Sequence, residues 1–527
     1  MPRDFQLPGR SAAYATQAMA ATSHPLATLT ALDVLRAGGN AVDAAVTAAA
    51  VLAVVEPHMT GIGGDCFALL AKPDGTLIGL NGSGRAPAAA DSGWFVERKM
   101  SAIEGESPHA VTVPGAIDAW ERILADHGKR SLAEALAPAI RVAEEGFPVS
   151  PRVAWDWRRQ VPKLEKDEGA RRHLLIDGRA PCEGDVIRFP ALAHTLRRIA
   201  EEGRAGFYEG EVAAEIAETV RAKGGLLAEE DLAAHESAYV APITSPYRGL
   251  DVIELPPVNQ GITALAMLGI LARFDLASLD PLGPERFHLE MEAARLAYGV
   301  RDIHLADPAH MRVRPEALIH DAYAARLAET IDLTRARRDP IPEAAHTDTV
   351  YLTVVDRDRL AVSFINSLYA GFGTGIVTPR TGVTLQNRGA CFVTDPAHPN
   401  CIGPRKRPLH TLIPGLACEN GRFKLAFGVM GGAYQACGHA HVLSNLRDFG
   451  MDVQAAIDCP RAFLEGGRIG LERGVPEATA AGLRARGHDV FRVELPYGGG
   501  QAIRIDWERG VLIGGSDPRK DGCALGY

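Results

Sequence analysis

The sequence predicts an α+β protein whose helices and strands stack in layers. Two observations predict this class. Helical and strand segments occur in blocks, without the regular βαβ alternation that is typical of a doubly wound sheet. The most pronounced strand pattern is a hairpin at residues 349–365, which follows a mostly helical region at residues 115–330. We therefore expect stacked layers rather than a doubly wound parallel sheet.

Composition excludes several classes of function. The chain has 527 residues, of which 46% are hydrophobic and 23% charged, and its net charge is −9. An acidic chain has no general attraction for nucleic acid or anionic lipid, so we expect neither as a partner. The most apolar run, residues 41–55, contains Asp43 and is too short to span a bilayer. The first 20 residues lack the apolar core of an export signal, and the eight cysteines are scattered. These features favour a cytoplasmic protein with reduced thiols.

The N-terminal elements follow from local signals. The apolar spacing from Ala27 to Leu35 predicts a helix that ends at two glycines, and Asn40 is placed to cap a second helix over residues 41–55. The glycine-rich residues 60–64 lack the Lys-Ser/Thr of a phosphate-binding loop and predict a close-packed turn. The pattern at residues 66–80, with Pro-Asp-Gly at its centre, predicts a β-hairpin.

Further elements are predicted along the chain. Residues 132–145 and 287–298 have helical periodicity. Residues 334–348 combine arginines with prolines, which predicts an exposed, poorly ordered connector. A β-rich hairpin follows directly at residues 349–365, with its turn at residues 356–359, and more strand signal occurs at residues 423–427 and 502–506.

Candidate chemistry from the residues alone is sparse. Cys437, His439 and His441 lie close in sequence, but alternate residues of a helix do not share a face, so we expect no zinc site and no other metal or cofactor. The pair Asp348-Thr349 is the notable feature, at the junction of the connector and the hairpin. A threonine that cleavage makes N-terminal can use its own α-amine as the base for its hydroxyl. A threonine opening a strand is also commonplace in purely structural roles.

The chain resembles the γ-glutamyltranspeptidase family from near its start to its last residue. The N-terminal match is residues 35–45 (LRAGGNAVDAA), followed by RAP at 85–87 and VPG at 113–115. Matches in the middle and C-terminal regions occur in the same order as in the family: GGL at 224–226, EDLA at 230–233, YRG at 247–249, PP at 256–257, EAARLAY at 292–298, FGTGI at 372–376, GP at 403–404, KRPL at 406–409 and SDPR at 516–519.

The resemblance implies a four-layer αββα sandwich of the N-terminal nucleophile hydrolase type. It implies self-cleavage between Asp348 and Thr349, which gives a large subunit, residues 1–348, and a small subunit, residues 349–527, that together form one structural domain. Thr349 aligns with the nucleophile, and Ser367 with the threonine that supports it. Gly431 and Gly432 align with the glycines whose N–H groups form the oxyanion hole.

The substrate pocket departs from the family pattern. The arginine that holds a glutamyl α-carboxylate is replaced by Ser83, and the aspartate that holds its α-amine by Cys391. A thiol cannot replace a carboxylate opposite an ammonium group. The pocket positions that align with an asparagine, a glutamine and two serines hold Tyr369, Arg388, His410 and Thr411. Arginine binds carboxylates bidentately, which favours Arg388 or Arg85 as the anchor of an acyl carboxylate, although either could equally serve a structural ion pair.

The leading hypothesis is therefore a self-processing amidohydrolase acting on a small carboxylate-bearing amide, either oxamate-like or of the acylase type. The alternative within enzymes is authentic γ-glutamyl hydrolysis or transfer from glutathione. The alternative of another class is a non-catalytic binding protein that keeps only the fold. The sequence leaves open the acyl group, the leaving amine and whether the chain forms a homo-oligomer.

Overall fold

A computed structural model describes residue 6, residues 9–337 and residues 349–527 of the chain. The predicted connector falls mostly on residues 338–348, which include Asp348 and lie outside the described residues. Its poor order and its cleavage therefore stay predictions.

The strands run from the first described residues to the chain's end. They are β1 (Ala13–Ala15), β2 (Met19–Thr22), β3 (Asp65–Ala71), β4 (Leu77–Gly82), β5 (Phe147–Pro148), β6 (Val186–Ile187), β7 (Ala238–Val240), β8 (Ile243–Tyr247), β9 (Leu250–Glu254), β10 (Val350–Val355), β11 (Ala361–Ser367), β12 (Gly415–Glu419), β13 (Arg422–Met430), β14 (Ala462–Glu465), β15 (Arg468–Leu471), β16 (Val490–Arg492), β17 (Gly499–Asp506), β18 (Val511–Ser516) and β19 (Cys523–Gly526).

The helices fall between these strands. They are α1 (Pro25–Arg36), α2 (Ala41–Val55), α3 (Ser92–Glu97), α4 (Ala116–His127), α5 (Leu132–Glu145), α6 (Pro151–Leu164), α7 (Glu168–Leu174), α8 (Pro190–Glu202), α9 (Ala205–Tyr208), α10 (Gly210–Ala222), α11 (Glu229–Ala233), α12 (Gly261–Leu271), α13 (Pro284–His304), α14 (Pro315–Leu318), α15 (Asp321–Ala328), α16 (Tyr434–Arg447), α17 (Val453–Asp458) and α18 (Glu477–Ala485). None of these described helices is long and apolar enough to cross a membrane.

Two seven-stranded sheets form the centre of the molecule. One sheet has the order β1-β18-β17-β13-β12-β9-β8, and the other has the order β19-β2-β10-β11-β3-β4-β7. All neighbouring strands in both sheets pair antiparallel. The sheets pack face to face, with β10 contacting β13 and β17. The predicted stacking of layers is confirmed.

Helices cover the outer face of each sheet. Helices α1 and α2 pack on the sheet that contains β10 and β11, and helices α12, α16 and α17 pack on the sheet that contains β13. Helix α2 is buried along its whole length between its sheet and α5, which explains why its sequence is almost entirely apolar. The result is the αββα sandwich that the resemblance implied.

Local sequence signals located most of these elements. The Asn40 side chain accepts hydrogen bonds from the N–H groups of Val42 and Asp43, and α2 begins and ends as predicted. The hairpins at residues 66–80 and 349–365 are present as β3–β4 and β10–β11. The glycine-rich residues 60–64 form a tight turn, in which Gly61 accepts a hydrogen bond from the N–H of Gly64.

One close approach fixes how the two sheets meet. A Cβ atom placed on Gly428 of β13 would lie 2.4–2.6 Å from ring atoms of Tyr351 on β10. Only glycine leaves room for the ring there. The Tyr351 hydroxyl shares a 2.7 Å hydrogen bond with the hydroxyl of Ser363 on β11. This contact brings the start of β10, where Thr349 lies, towards the end of β13, beyond which Gly431 and Gly432 follow.

Candidate active site

The predicted nucleophile lies at the meeting point of the two sheets. Thr349 directly precedes β10 and is fully buried. Its hydroxyl oxygen is 3.2 Å from the hydroxyl oxygen of Ser367, the last residue of the neighbouring strand β11. The pairing of Val350 with Asn366 sets this register, so the two hydroxyl groups come together because of the β10–β11 ladder.

Ser367 is held in turn by the chain that follows it. The N–H of Tyr369 donates a 2.8 Å hydrogen bond to the Ser367 hydroxyl. On its other side, Ser367 pairs with Asp65 of β3. The Ser367 hydroxyl is therefore fixed from two directions and can orient the Thr349 hydroxyl.

The two glycines predicted for the oxyanion hole form the turn between β13 and α16. Gly431 has φ = 122° and Gly432 has φ = 57°, both in the region that favours glycine. The Gly431 carbonyl accepts the N–H of Tyr434, and the side chain of Gln260 donates to the Gly432 carbonyl over 2.9 Å.

The N–H groups of this turn are the donors that are available to an oxyanion. Since the C=O and N–H of one peptide unit point in opposite directions, the bond from Gly431 to α16 turns the Gly432 N–H away from the helix. Within the described residues, neither glycine donates its N–H to a main-chain acceptor. Two unpaired N–H groups can stabilise the negative oxygen of a tetrahedral intermediate.

A pocket of about 1080 Å³ opens beside these groups. Its wall includes Tyr369, Cys391, Thr411 and Ala433, and it continues to residues 491–495 and Tyr497 on the far side. Tyr369 lies two residues beyond Ser367, and Ala433 directly follows Gly432, so the pocket wall includes close sequence neighbours of the supporting serine and of the glycine turn.

Arg388 lies behind this wall and is fully buried. It begins the short 3₁₀ helix Arg388–Cys391, and its guanidinium stacks 4.2 Å above the centre of the Tyr369 ring. One terminal nitrogen, Nη1, donates a 2.8 Å hydrogen bond to the Thr411 hydroxyl and lies 3.9 Å from the Cys391 sulfur. Nε and Nη2 are buried and have no hydrogen-bond partner among the residues that the structure describes. Arg388 forms no ion pair with a carboxylate in the described part of the chain.

The His410 side chain is buried against the carboxylate of Asp65 and does not open to the pocket. Its Nε2 lies 2.8 Å from an oxygen of Asp65. Burial and the nearby charge of Arg388 lower the pKa of His410 to about 3, against the opposing effect of Asp65. Burial alone would raise the pKa of Asp65, but the hydrogen bond from His410 and the charge of Arg388 bring it below its usual value. The pair is therefore a neutral imidazole that donates to an ionised carboxylate.

Arg85 lies apart from this group. Its side chain is 42% exposed and pairs with Asp307 at 4.0 Å, and its Nη1 donates to the carbonyl of Arg405. Ser83 is buried and its hydroxyl donates to the Asn81 side chain. The structure therefore links Thr349, Ser367, Tyr369, Arg388 and Thr411 through a chain of contacts. The side chain of Gln260 donates to the carbonyls of both Thr411 and Gly432 and so ties the glycine turn to this group, whereas Arg85 lies outside it.

Asp65 is a residue of this site that sequence reasoning missed. One of its oxygens accepts N–H groups from Gly84 and Gly115 and the side chain of Gln386, while the other receives His410. The only sequence signal was a charged residue at the start of an otherwise apolar strand. Cys437, His439 and His441 turn out to serve buried ion pairs and polar contacts of helix α16, with Glu254 and Glu290 as partners.

Known proteins with similar sequences carry related names. Residues 27–527 match the family model described as Gamma-glutamyltranspeptidase. The chain is 36% identical over 523 residues to the glutathione hydrolase-like YwrD proenzyme of Bacillus subtilis, covering 97% of this chain and 98% of that protein. It is 37% identical over 530 residues to the oxamate amidohydrolase proenzyme of Klebsiella pneumoniae, covering 97% and 99%.

A solved structure shows the same architecture. The crystal structure of a cephalosporin acylase from Bacillus halodurans superposes with a TM-score of 0.92 at 40% sequence identity, over 100% of this chain and 99% of that one. The likeness extends across both sheets and both helical layers, since it covers the whole chain.

Proposed function

The chain belongs to the gamma-glutamyltranspeptidase family and is a hydrolase, and we propose that it is a self-processing amidohydrolase for small amides whose acyl part carries a carboxylate. Cleavage between Asp348 and Thr349 produces the active enzyme, divided into residues 1–348 and 349–527. The names of two relatives, which include the word proenzyme, support the processing step.

The reaction uses the groups around Thr349. The freed α-amine of Thr349 takes the proton of its own hydroxyl as the oxygen attacks the amide carbonyl. The N–H groups of Gly431 and Gly432 stabilise the resulting oxyanion, and the α-amine returns the proton to the leaving nitrogen. The amine departs and leaves an ester between Thr349 and the acyl group. Water, deprotonated by the same α-amine, then releases the acid and restores Thr349.

The observation that carries the substrate assignment is that Nε and Nη2 of the buried Arg388 have no hydrogen-bond partner among the described residues. A buried cation without an anionic partner is costly, and a bound carboxylate removes that cost. Nε and Nη2 offer two adjacent donors, which is the arrangement that binds a carboxylate bidentately. The stacked Tyr369 ring and the Thr411 hydroxyl hold the guanidinium in place beside the pocket.

The same surroundings disfavour a γ-glutamyl group. A glutamyl substrate brings an ammonium group next to its carboxylate, and this group needs an anion. Cys391 presents a thiol at this place, and Asp65 is already engaged by His410. An acyl group that has a carboxylate and no α-amine fits better.

The size of the pocket favours acylase-type substrates beside oxamate-like ones. The pocket, of about 1080 Å³, extends from Tyr369, Thr411 and Ala433 to residues 491–495. This is room for an amine much larger than ammonia.

Two measurements test the proposal. The first is the mass of the purified protein, in which wild type gives two fragments divided at residue 349 and Thr349→Ala stays intact at 56.2 kDa. Thr349→Ser keeps a hydroxyl and is expected to process. Cleavage of Thr349→Ala at the same bond would show that another residue is the nucleophile, and an intact wild-type chain would support a non-catalytic binding protein.

The second measurement is hydrolysis of a panel of amides: oxamate, glutaric monoamide, its neutral methyl ester, glutaryl amides of larger amines and a γ-glutamyl anilide. Arg388→Met should lower kcat/KM for the carboxylate amides by about 10- to 100-fold, the loss of a charge-assisted hydrogen-bonded pair, and leave the methyl ester nearly unchanged. Arg159→Met, at the pocket wall, is the matched control. Preferential release of glutamate from the anilide would instead favour the γ-glutamyl alternative.

A further inference from the structure

Three buried potential metal ligands outside the pocket wall meet where helix α13 packs against α18 and the residues that follow it. His288 and Glu292 lie one turn apart on the same face of α13, and His488 follows α18. All three side chains are buried, and one ligand atom from each lies within 4.8 Å of the other two. None of them takes part in the proposed reaction.

The hydrogen bonds of His288 define which of its nitrogens is available. Nε2 lies 2.8 Å from the carbonyl oxygen of Asp332, and a carbonyl can only accept, so Nε2 carries the hydrogen. Nδ1 therefore has a lone pair and accepts a hydrogen bond from the Nε2–H of His488, and metal binding moves that hydrogen to Nδ1 of His488. A histidine that donates one N–H to a carbonyl while its other nitrogen faces a shared centre is the arrangement that fixes a metal-binding imidazole.

The spacing of the three atoms matches a small cation. His288 Nδ1 is 2.7 Å from His488 Nε2, and His488 Nε2 is 4.0 Å from Glu292 Oε1. Tetrahedral Zn²⁺ with ligand distances of about 2.0–2.1 Å holds its ligand atoms about 3.3 Å apart, between these two values. The third separation, between the ligand atoms of His288 and Glu292, lies within 4.8 Å, and side-chain rotations bring the three atoms onto one centre.

We infer that His288, Glu292 and His488 form a Zn²⁺ site, with water as the fourth ligand, that clamps α13 to the segment after α18. Two imidazoles and one carboxylate are a ligand set that zinc uses in proteins. The carbonyl of Asp332 accepts a hydrogen bond from His288, and the N–H of Arg337 donates to Glu292. The metal therefore also stabilises the segment that contains Asp332 and Arg337.

Two arginine residues beside Glu292 limit the affinity of this site for Zn²⁺. Arg295 Nε lies 3.8 Å from Glu292 Oε1, and the N–H of Arg337 donates to the same carboxylate. These groups share the charge of Glu292 with the metal, so we expect micromolar rather than tighter binding. We therefore expect purification in a chelator to remove Zn²⁺ from the site and added Zn²⁺ to restore it.

Cobalt(II) titration of the processed, chelator-treated protein tests the site. One equivalent of Co²⁺ should give visible d–d absorption of tetrahedral intensity, and Zn²⁺ should abolish it. His488→Gln should remove the absorption, whereas His304→Gln, the same change on α13 outside the cluster, should retain it. If His488→Gln fails to fold by circular dichroism, Glu292→Gln replaces it. The midpoint of thermal unfolding should rise with Zn²⁺ in wild type and in His304→Gln only.

Three outcomes would overturn the inference. The first is the absence of stoichiometric metal by elemental analysis and absorption. The second is absorption that survives both cluster variants. The third is a sulfur-to-cobalt charge-transfer band, which would place the metal on a cysteine, a residue type that this cluster does not contain. Because none of these readouts depends on hydrolysis, failure here is distinguishable from failure of the proposed function.

Discussion

The hydroxyl groups of Thr349 and Ser367 lie 3.2 Å apart at the same end of two paired strands, and the Tyr369 N–H binds the second of them. The proposed nucleophile is therefore oriented by the strand ladder itself. This relationship makes Ser367 a positioning residue whose hydroxyl, rather than its size, matters.

Ser367→Ala should slow both self-cleavage and turnover by about 10-fold, because it removes one hydrogen bond to the nucleophile and leaves the Tyr369 N–H unpaired. The half-life of the precursor, followed on a denaturing gel, measures this effect. Ser367→Thr keeps the hydroxyl and should process at a rate near that of wild type. Equal rates in the alanine and threonine variants would remove Ser367 from the mechanism.

Gly432→Ala should reduce kcat by about 10-fold or more, because a side chain at φ = 57° is strained and the turn relaxes away from the geometry that aims its N–H groups. Gly421→Ala is the matched control, since Gly421 also has positive φ, at 74°, and a Cβ there meets nothing. Both variants should lose about 1 kcal/mol of unfolding free energy, and only the first should lose turnover.

Gly428→Ala should impair processing through the spacing of the sheets. The added methyl group collides with the Tyr351 ring and pushes β13 away from β10, so the oxyanion turn moves relative to Thr349. The processed fraction after expression measures the effect. The double variant Gly428→Ala/Tyr351→Ala removes the collision and should recover processing at least in part. If the double variant is no better than the single one, the sheet spacing is not the cause.

Stability should fall as the pH drops from about 6.5 towards 3. The pKa of His410 is about 3 in the folded chain and near 6.5 when unfolded, so only the unfolded state takes up this proton as the pH falls through that window. The lowered pKa of Asp65 acts in the same direction, since its contribution is present above its unfolded pKa and is lost on acidification.

The intact precursor Thr349→Ala suits this measurement, because its unfolding does not involve separated fragments. Urea unfolding at pH 7 and pH 5 should show a smaller loss for His410→Gln in that background, since glutamine keeps a hydrogen-bond donor and takes up no proton. An unchanged difference between the two pH values would show that folding does not lower the pKa of His410.

Local signals in the sequence were sufficient to predict helices and strands of the scaffold. A cap at Asn40 and the following Glu-Pro define α2, and a short polar turn between two β-branched runs defines β10–β11. Both depend on residues within a few positions of each other, where propensity and capping act.

Contacts between residues that are far apart in the sequence could not be predicted from local signals. His410 and Asp65 are 345 residues apart, so the burial of His410 on a carboxylate could not be read from its neighbours. For the same reason Arg85 and Arg388 looked equivalent as carboxylate anchors, although one is solvated and the other buried. His288 and His488 come together only through the packing of α13 against α18.

The site divides between two kinds of backbone. Thr349 and Ser367 stand on paired strands, whereas Tyr369, Arg388 and Thr411 lie in the connections outside the ladder. On the proposed mechanism, a descendant of this protein exchanges the acyl group it accepts by changing these three positions, while the two strand residues keep self-cleavage intact. Libraries for directed evolution of new amidases are best confined to those loops.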